Sequence, residues 1–318
     1  MPHYTPTAKE KAIISSNTRS FINNYITLAP WKARTVEDFG HIGHKQGYNA
    51  YIVGSDQVWR PSYNPLQLAM FLSFTGDDNV KRLAYAASFG TSEWMFSSSM
   101  TEKCLRLARK FDMITVRENS GIFLCKKYLG VEAMQVLDPT MLLNKEDYLK
   151  LVVEENEPQS EGSLFYYFLD PSEEKTRVLD FVSRCNNIVP FTVMPKCQAE
   201  NRTKSDIKHR ISDCIFPSVA SWLRGFNDAR IVIVDSFHGA VFSIIFNKPF
   251  WVISNPKRGN ARFESLLKEF GLEDRLLSSE RISDDFDWNK PVNWDTVNEK
   301  REQERHRCIQ LLNNVLIK

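Results

Sequence analysis

The sequence predicts an α/β protein with two largely parallel sheets, and three observations predict it. Short apolar runs ending in polar residues recur along the chain, and helix-patterned stretches of about ten residues alternate with them. One charged, proline-containing segment, VVEENEPQSEGS from Val152 to Ser163, interrupts this alternation and reads as a linker between two βαβ arrays.

Residues 1 to about 48 carry weak helical patterning, as in RSFINNYITLAPW, followed by the loop-like FGHIGHKQG; no first strand is visible there. From Asn49 the pattern sharpens. NAYIVGSD and RLAYAASFG read as buried strands delivering Gly54-Ser55-Asp56-Gln57 and Ser88-Phe89-Gly90 at their ends. TEKCLRLARKF has amphipathic helix spacing, and MITVRE is a strand ending in Arg117 and Glu118. NSGIFLCKKYLG is a helix with Asn119 or Ser120 as N-cap and Gly130 as stop, and MQVLDPT closes the first half as another strand. SLFYYFLD, NIVPFTVM, IVIVDS and PFWVIS are the strands of the second half, separated by helices such as SEEKTRVLDFVSRC and SVASWLRGFNDA. The C-terminal TVNEKREQERHRCIQLLNNVLI is a charged helix docked by its apolar end.

Composition narrows the function classes. Lys+Arg 41 against Asp+Glu 39 leaves a formal net charge of +2, without the basic excess that neutralising nucleic-acid phosphates requires. A small anionic ligand needs only a few cations. The six cysteines show no C-x-x-C pair, which argues against a zinc site and a dense disulfide framework; they read as free thiols, and no metal is expected. The N-terminal stretch lacks the charged and apolar regions of a signal peptide, and the longest apolar stretch is broken at Asn247-Lys248-Pro249. A cytoplasmic location is expected, the inner face of a membrane included.

Ligands of parallel sheets gather at strand carboxyl ends, so the polar residues there are the candidates for a site. IVIVDSFHGAVFSIIFNKPF is the most informative segment: a four-residue strand, then Asp235-Ser236-Phe237-His238-Gly239, then a helix apolar almost all round. An imidazole at a helix N-terminus can shuttle a proton beside an anion, oriented by Asp235 or Ser236, while Gly239 admits the anion to the backbone. His238 reads equally well as the capping residue of a core helix. Arg117 either meets a ligand anion or pairs with Glu118 or Asp112, the pairing being the more economical reading. His41 and His44 lack a third metal ligand, and His3, His209 and His306 lie in polar surroundings. Trp59 either walls a sugar cleft or anchors its loop.

In their order and spacing, YIVGSDQVWRP, LAYAASFG, ITVRENSG, VLDPTMLL, DSFHGAVFS and NARFESLLKEFGL resemble the polysaccharide pyruvyl transferase family, from about Asn49 to about Leu277. The resemblance implies two Rossmann-like domains in a GT-B-like arrangement: residues 1–150, residues 151–295, and a C-terminal helix over 296–318. It implies transfer of a pyruvyl group from phosphoenolpyruvate to a glycan or lipid-linked sugar, with release of phosphate and no cofactor. His238 and Asp235 are then the catalytic candidates. Arg117, Ser236, Gly239, Ser55, Asp56, Gln57, Ser88, Gly90 and Arg262 are the substrate-binding ones. Some family members carry an arginine where this chain has Ser236, so an anion contact is expected from Arg262 or Lys257. Members usually open with a strand and a loop like N-Y-G-A-x-L-Q, which is missing here; the first domain is expected to lack that strand, and homo-oligomerisation or residues 1–48 to cover the edge. Two other classes stay open: a GT-B-like glycosyltransferase using a nucleotide sugar, and an inactive relative that binds glycan or a partner.

Overall fold

The computed structural model of the protein describes residues 5–29, 32–35, 38–39, 47–197, 211–254, 259–277 and 286–317. It is a mixed α/β structure with two parallel sheets. The first joins β1 (Ala50–Val53), β2 (Lys81–Ala87), β3 (Met113–Val116) and β4 (Met134–Gln135) in sequential order. The second joins β5 (Leu164–Tyr167), β6 (Pro190–Phe191), β7 (Ile231–Val234), β8 (Phe250–Ile253) and β9 (Leu276–Leu277) in the order β6-β5-β7-β8-β9. All strands expected from apolar runs are present; β9 is an addition.

Grouped by contacts, the chain divides into two units. One comprises Met1–Pro30, Lys145–Trp251 and Asp284–Lys290; the other comprises Trp31–Asn144, Val252–Ser283 and Pro291–Lys318. The first is called here the His238 unit and the second the Arg117 unit.

In the Arg117 unit, β2 and β3 are buried at nearly every residue, as strands covered on both faces must be. Trp59 is 1% exposed, stacks on Phe71 with ring centroids 4.8 Å apart, and donates its indole N–H to the Met70 carbonyl at 3.0 Å. It is a core anchor and lines no sugar cleft. The pairing of β2 with β3 slips between Ala84 and Ala87, and Ala86 there has φ 50°. This bulge re-aims the strand end that carries Ser88. The helix Asn119–Leu124 starts after Glu118, which is its N-cap residue in place of the expected Asn119 or Ser120, and makes no side-chain cap bond. Its continuation, Cys125–Leu129, stops at Gly130 in the left-handed region, as expected.

In the His238 unit, the weakly patterned N-terminus forms the helices Ala8–Ile14 and Ser16–Tyr25, the first closed by a capping box between Thr7 and Glu10. Ile14 accepts the backbone N–H of Phe216 at 3.0 Å, and Asn17 donates its amide to the Phe216 carbonyl at 2.8 Å. These two helices thus pack on the second half of the chain. The helix Lys145–Glu154 reaches into the stretch read as linker. Phe165, Trp222, Phe226 and Phe242 interlock edge to face beneath β5 and β7, with centroids 4.7–5.0 Å apart.

Candidate functional site

The second sheet has a topological switch point. β6 lies on one side of β5 and β7 on the other, so the connections leaving β5 and β7 diverge and open a crevice at their carboxyl ends. A cavity of about 430 Å³ lies there, bounded by Tyr167 and Leu169 after β5 and His238 after β7, with Trp222, Phe216 and Met194 on its walls. Its described lining includes no Lys, Arg, Asp or Glu. Such a surface suits the apolar face of a sugar ring better than a multiply charged anion.

His238 reaches this cavity because β7 is buried along its whole length and must release the chain into the helix Phe237–Ile245 at one point. The cap of that helix is Ser236, whose hydroxyl accepts the Gly239 N–H at 3.2 Å. The capping reading of His238 is therefore corrected: it occupies the second helical position and is half-buried in the cavity wall. Gly239 is corrected too. A Cβ there would come within 2.8 Å of the Val234 side chain, and its N–H is already taken by Ser236, so this glycine serves helix-to-strand packing and not anion approach.

Asp235 is 1% exposed and serves a different purpose from the one its position suggests. Its carboxylate accepts the backbone N–H groups of Leu169 at 2.6 Å and Asp170 at 3.0 Å, and the Lys175 ammonium at 2.6 Å. Lys175 also donates to the Asp170 carbonyl at 2.6 Å. None of these contacts is to the His238 ring. They tie the loop after β5 to the end of β7, and so hold two walls of the cavity in register. Lys175 was not a sequence candidate, since its partner lies 60 residues away.

The Arg117 unit carries a separate cluster of charge at the ends of its strands. Arg117 is 3% exposed, with one Nη donating to Asp138 at 2.8 Å and the other to Asp56 at 3.2 Å. Of the two partners expected, Asp112 instead accepts the Arg82 backbone N–H at 2.8 Å, while Glu118 is coupled to Arg117 through its charge. Asp138 is buried, whereas the Asp56 side chain is 71% exposed, so one end of the guanidinium is anchored and the other is open to exchange. Ser55 reaches Asp138 at 3.4 Å, and Gln57 accepts from Arg60 at 2.8 Å.

Glu118, also missed, organises the neighbouring turn. One carboxylate oxygen accepts from the Ser88 hydroxyl at 3.0 Å and from the backbone N–H groups of Phe89 at 2.8 Å and Gly90 at 3.2 Å. Burial raises its pKa against the opposing pull of Arg117 and these donors. Ser88 is fully buried in this arrangement, so it braces Glu118. The signal in the sequence was a carboxylate beside Arg117 at the end of the largely apolar strand MITV.

Arg262 sits in the first turn of the helix Ala261–Phe270 and is 5% exposed. Gly259, at φ 85°, brings this segment against the Gly90 turn: a Cβ would stand 2.4 Å from the Gly90 carbonyl oxygen. Burial, and secondarily the charge of Arg117, push the Arg262 pKa down to about 10. Arg60 adds to the same repulsion. Three buried or nearly buried guanidiniums thus share a small volume in which an anion would relieve their repulsion. Lys257, His3, His41, His44 and His209 lie outside the described residues; His306 is exposed and bonded within its own helix to Glu302.

No curated protein matches the chain. Among protein families, the model of polysaccharide pyruvyl transferases matches residues 1–257, so the match takes in the N-terminal helices and ends ahead of the segment with Arg262. No described helix is long and apolar enough to cross a membrane. With the greater part of its length matched, and with the strand-end segments that prompted the resemblance gathered at the ends of two parallel sheets, the chain belongs to the polysaccharide pyruvyl transferase family and is a transferase acting on a polysaccharide acceptor.

Proposed function

We propose that the protein transfers the pyruvyl group of phosphoenolpyruvate to a sugar of a polysaccharide or its precursor, forming a ketal across two hydroxyls on a GT-B-like pair of domains. The observation that carries this reading is His238 in the wall of an uncharged, aromatic cavity at the switch point of the second sheet. The cavity takes the acceptor ring. Within the Arg117 unit, the anionic groups of the donor are met by Arg117, which keeps Asp138 and yields its Asp56-facing end, and by Arg262.

In this reaction the methylene carbon of the donor gains a proton, and the adjacent carbon becomes oxocarbenium-like. One acceptor hydroxyl adds to it and a second displaces phosphate. Of the two hydroxyl protons, one balances the new methyl group and the other leaves on phosphate. His238 is the group that exchanges these protons, a role worth about 10²–10⁴-fold in rate.

The test is His238→Gln, which keeps approximate size and hydrogen bonding but cannot exchange a proton. The variant is expected to melt like the parent, bind phosphoenolpyruvate within a few-fold, and release no phosphate in the presence of acceptor glycan. Phosphate release at the parental rate would end the assignment. The switch-point cavity also favours a second reading, since nucleotides bind at such crevices. A thermal-shift comparison of phosphoenolpyruvate with nucleotide diphosphate sugars separates the two, the proposal requiring that the former alone stabilise the protein.

A further inference from the structure

The six cysteines differ in their surroundings in a way their spacing conceals. Cys104 and Cys125 lie in the core of the Arg117 unit, where burial pushes both thiols up to about 12. Cys308 is buried as well, and Cys185 is exposed on its own helix. Cys197 and Cys214 are different: 17 residues apart in sequence, they bring their sulfurs to 3.1 Å. The backbone N–H of Cys197 donates to the Asp213 carbonyl at 3.3 Å, which fixes the two segments side by side, and Ile14 and Ile211 pack over the pair. Among the described residues it is the one pair of cysteines in sulfur contact. Cys214 is buried and Cys197 half-buried, so a small reagent in solution meets Cys197 first.

The two segments that carry the pair also contribute to the cavity that holds His238. Met194 stands three residues before Cys197, and Phe216 and Pro217 stand two and three residues after Cys214; all three line the cavity. A covalent link between the sulfurs would join the two segments that carry these walls of the cavity.

We propose that Cys197 and Cys214 are a dithiol oxidation site, converted by a small-molecule disulfide such as oxidised glutathione into an intramolecular disulfide that ties the rim of the His238 cavity. The Cys197 thiolate attacks one sulfur of the reagent, forming a mixed disulfide and expelling one thiolate. Cys214 then attacks the Cys197 sulfur, expelling the second. The two cysteine thiols are oxidised, the reagent disulfide is reduced to two thiols, and the two protons released from Cys197 and Cys214 end on those leaving thiolates. The reaction needs only a shift of the sulfurs into bonding distance, since they are already in contact.

The experiment uses the full chain, incubated with oxidised glutathione and mapped by mass spectrometry without reduction. The expected product has lost two hydrogens, carries no glutathione at either cysteine, and yields one linked peptide pair containing Cys197 and Cys214. Cys214→Ser should instead retain one glutathione on Cys197, because the resolving thiol is gone; Cys197→Ser should form no link. Hydrogen exchange at the Met194 and Phe216 amides should slow on oxidation of the parent chain and stay unchanged in Cys214→Ser. Glutathione retained on Cys197 in the parent, a link to a different cysteine, or both thiols left reduced under conditions that oxidise a free dithiol would overturn the site. Unchanged exchange at Met194 and Phe216 in the linked protein would overturn the tie to the cavity rim.

Discussion

Replacing Asp235 by alanine removes an acceptor that serves three donors at once: the Leu169 and Asp170 backbone N–H groups and the Lys175 ammonium, all within 3.0 Å. The lysine is 7% exposed, so the variant leaves a buried charge without its counter-ion as well as two backbone donors short of a partner. Breaking a buried pair in this way costs about 3–5 kcal/mol. At ~2–4 °C per kcal/mol for a protein of this size class, the melting temperature should fall by on the order of 10 °C. Lys175→Met removes the charge but leaves Asp235 its two backbone donors, and should cost less. Combining Asp235→Asn with Lys175→Met should recover part of the loss, with a coupling of about 0.5–3 kcal/mol between the two sites. Urea denaturation followed by circular dichroism gives the stabilities of the parent, Asp235→Ala, Asp235→Asn, Lys175→Met and the double variant, and phosphate release measured well below all melting points gives activity. If Asp235→Asn melts like the parent yet releases no phosphate, the carboxylate acts on the chemistry and the scaffold argument fails.

Three further outcomes are expected. Arg262→Met should abolish the stabilisation by phosphoenolpyruvate in a thermal-shift assay while the protein still melts in one cooperative transition. Glu118 binds its proton more tightly in the folded protein than an unfolded glutamate does at about 4.3, so its contribution to stability is full in acid and is lost as pH rises through the raised value. The melting temperature of Glu118→Gln relative to the parent should therefore climb with pH, and a difference that falls would refute the burial argument. Arg117→Lys keeps the charge but cannot hold Asp138 and a donor anion together, so calorimetry should show donor affinity falling more than the rate of phosphate release at saturation.

Local physics made most of the scaffold readable. An apolar run of four residues such as Ile231–Val234 has few alternatives to a buried strand, and Gly130 and Gly271 end their helices in the left-handed conformation that glycine permits. What stayed hidden was whatever depends on a partner far along the chain. The N-terminal stretch showed only weak helical patterning, and nothing in it revealed that Ile14 and Asn17 bond to Phe216 some two hundred residues on. The position of Asp235 beside His238 suggested orientation of the ring, and only the fold brings Lys175 to it. Gly239 looked like room for an anion because the sequence does not reveal how closely Val234 approaches.

The candidate residues divide by electrostatic character in a way that follows from where each sheet ends. Holding three guanidiniums near one another requires carboxylates, and the Arg117 unit supplies Asp56, Asp138 and Glu118 from three different strand ends. That neutralisation is incomplete, because Glu118 is biased toward its protonated form by burial, and burial, with the charge of Arg117 second, disfavours the charge of Arg262. A dianion would reverse the balance. The cavity beside His238 has the opposite design: Asp235, buried behind it, is closed off by a lysine and two backbone donors, and the described wall presents mainly aromatic and aliphatic surface with an imidazole set in it. The transfer proposed here, from an acidic donor to a sugar, calls on both environments, since a cation cluster would keep the acceptor ring hydrated and an apolar wall would reject the donor. Keeping them on different sheets lets each be optimised without compromising the other.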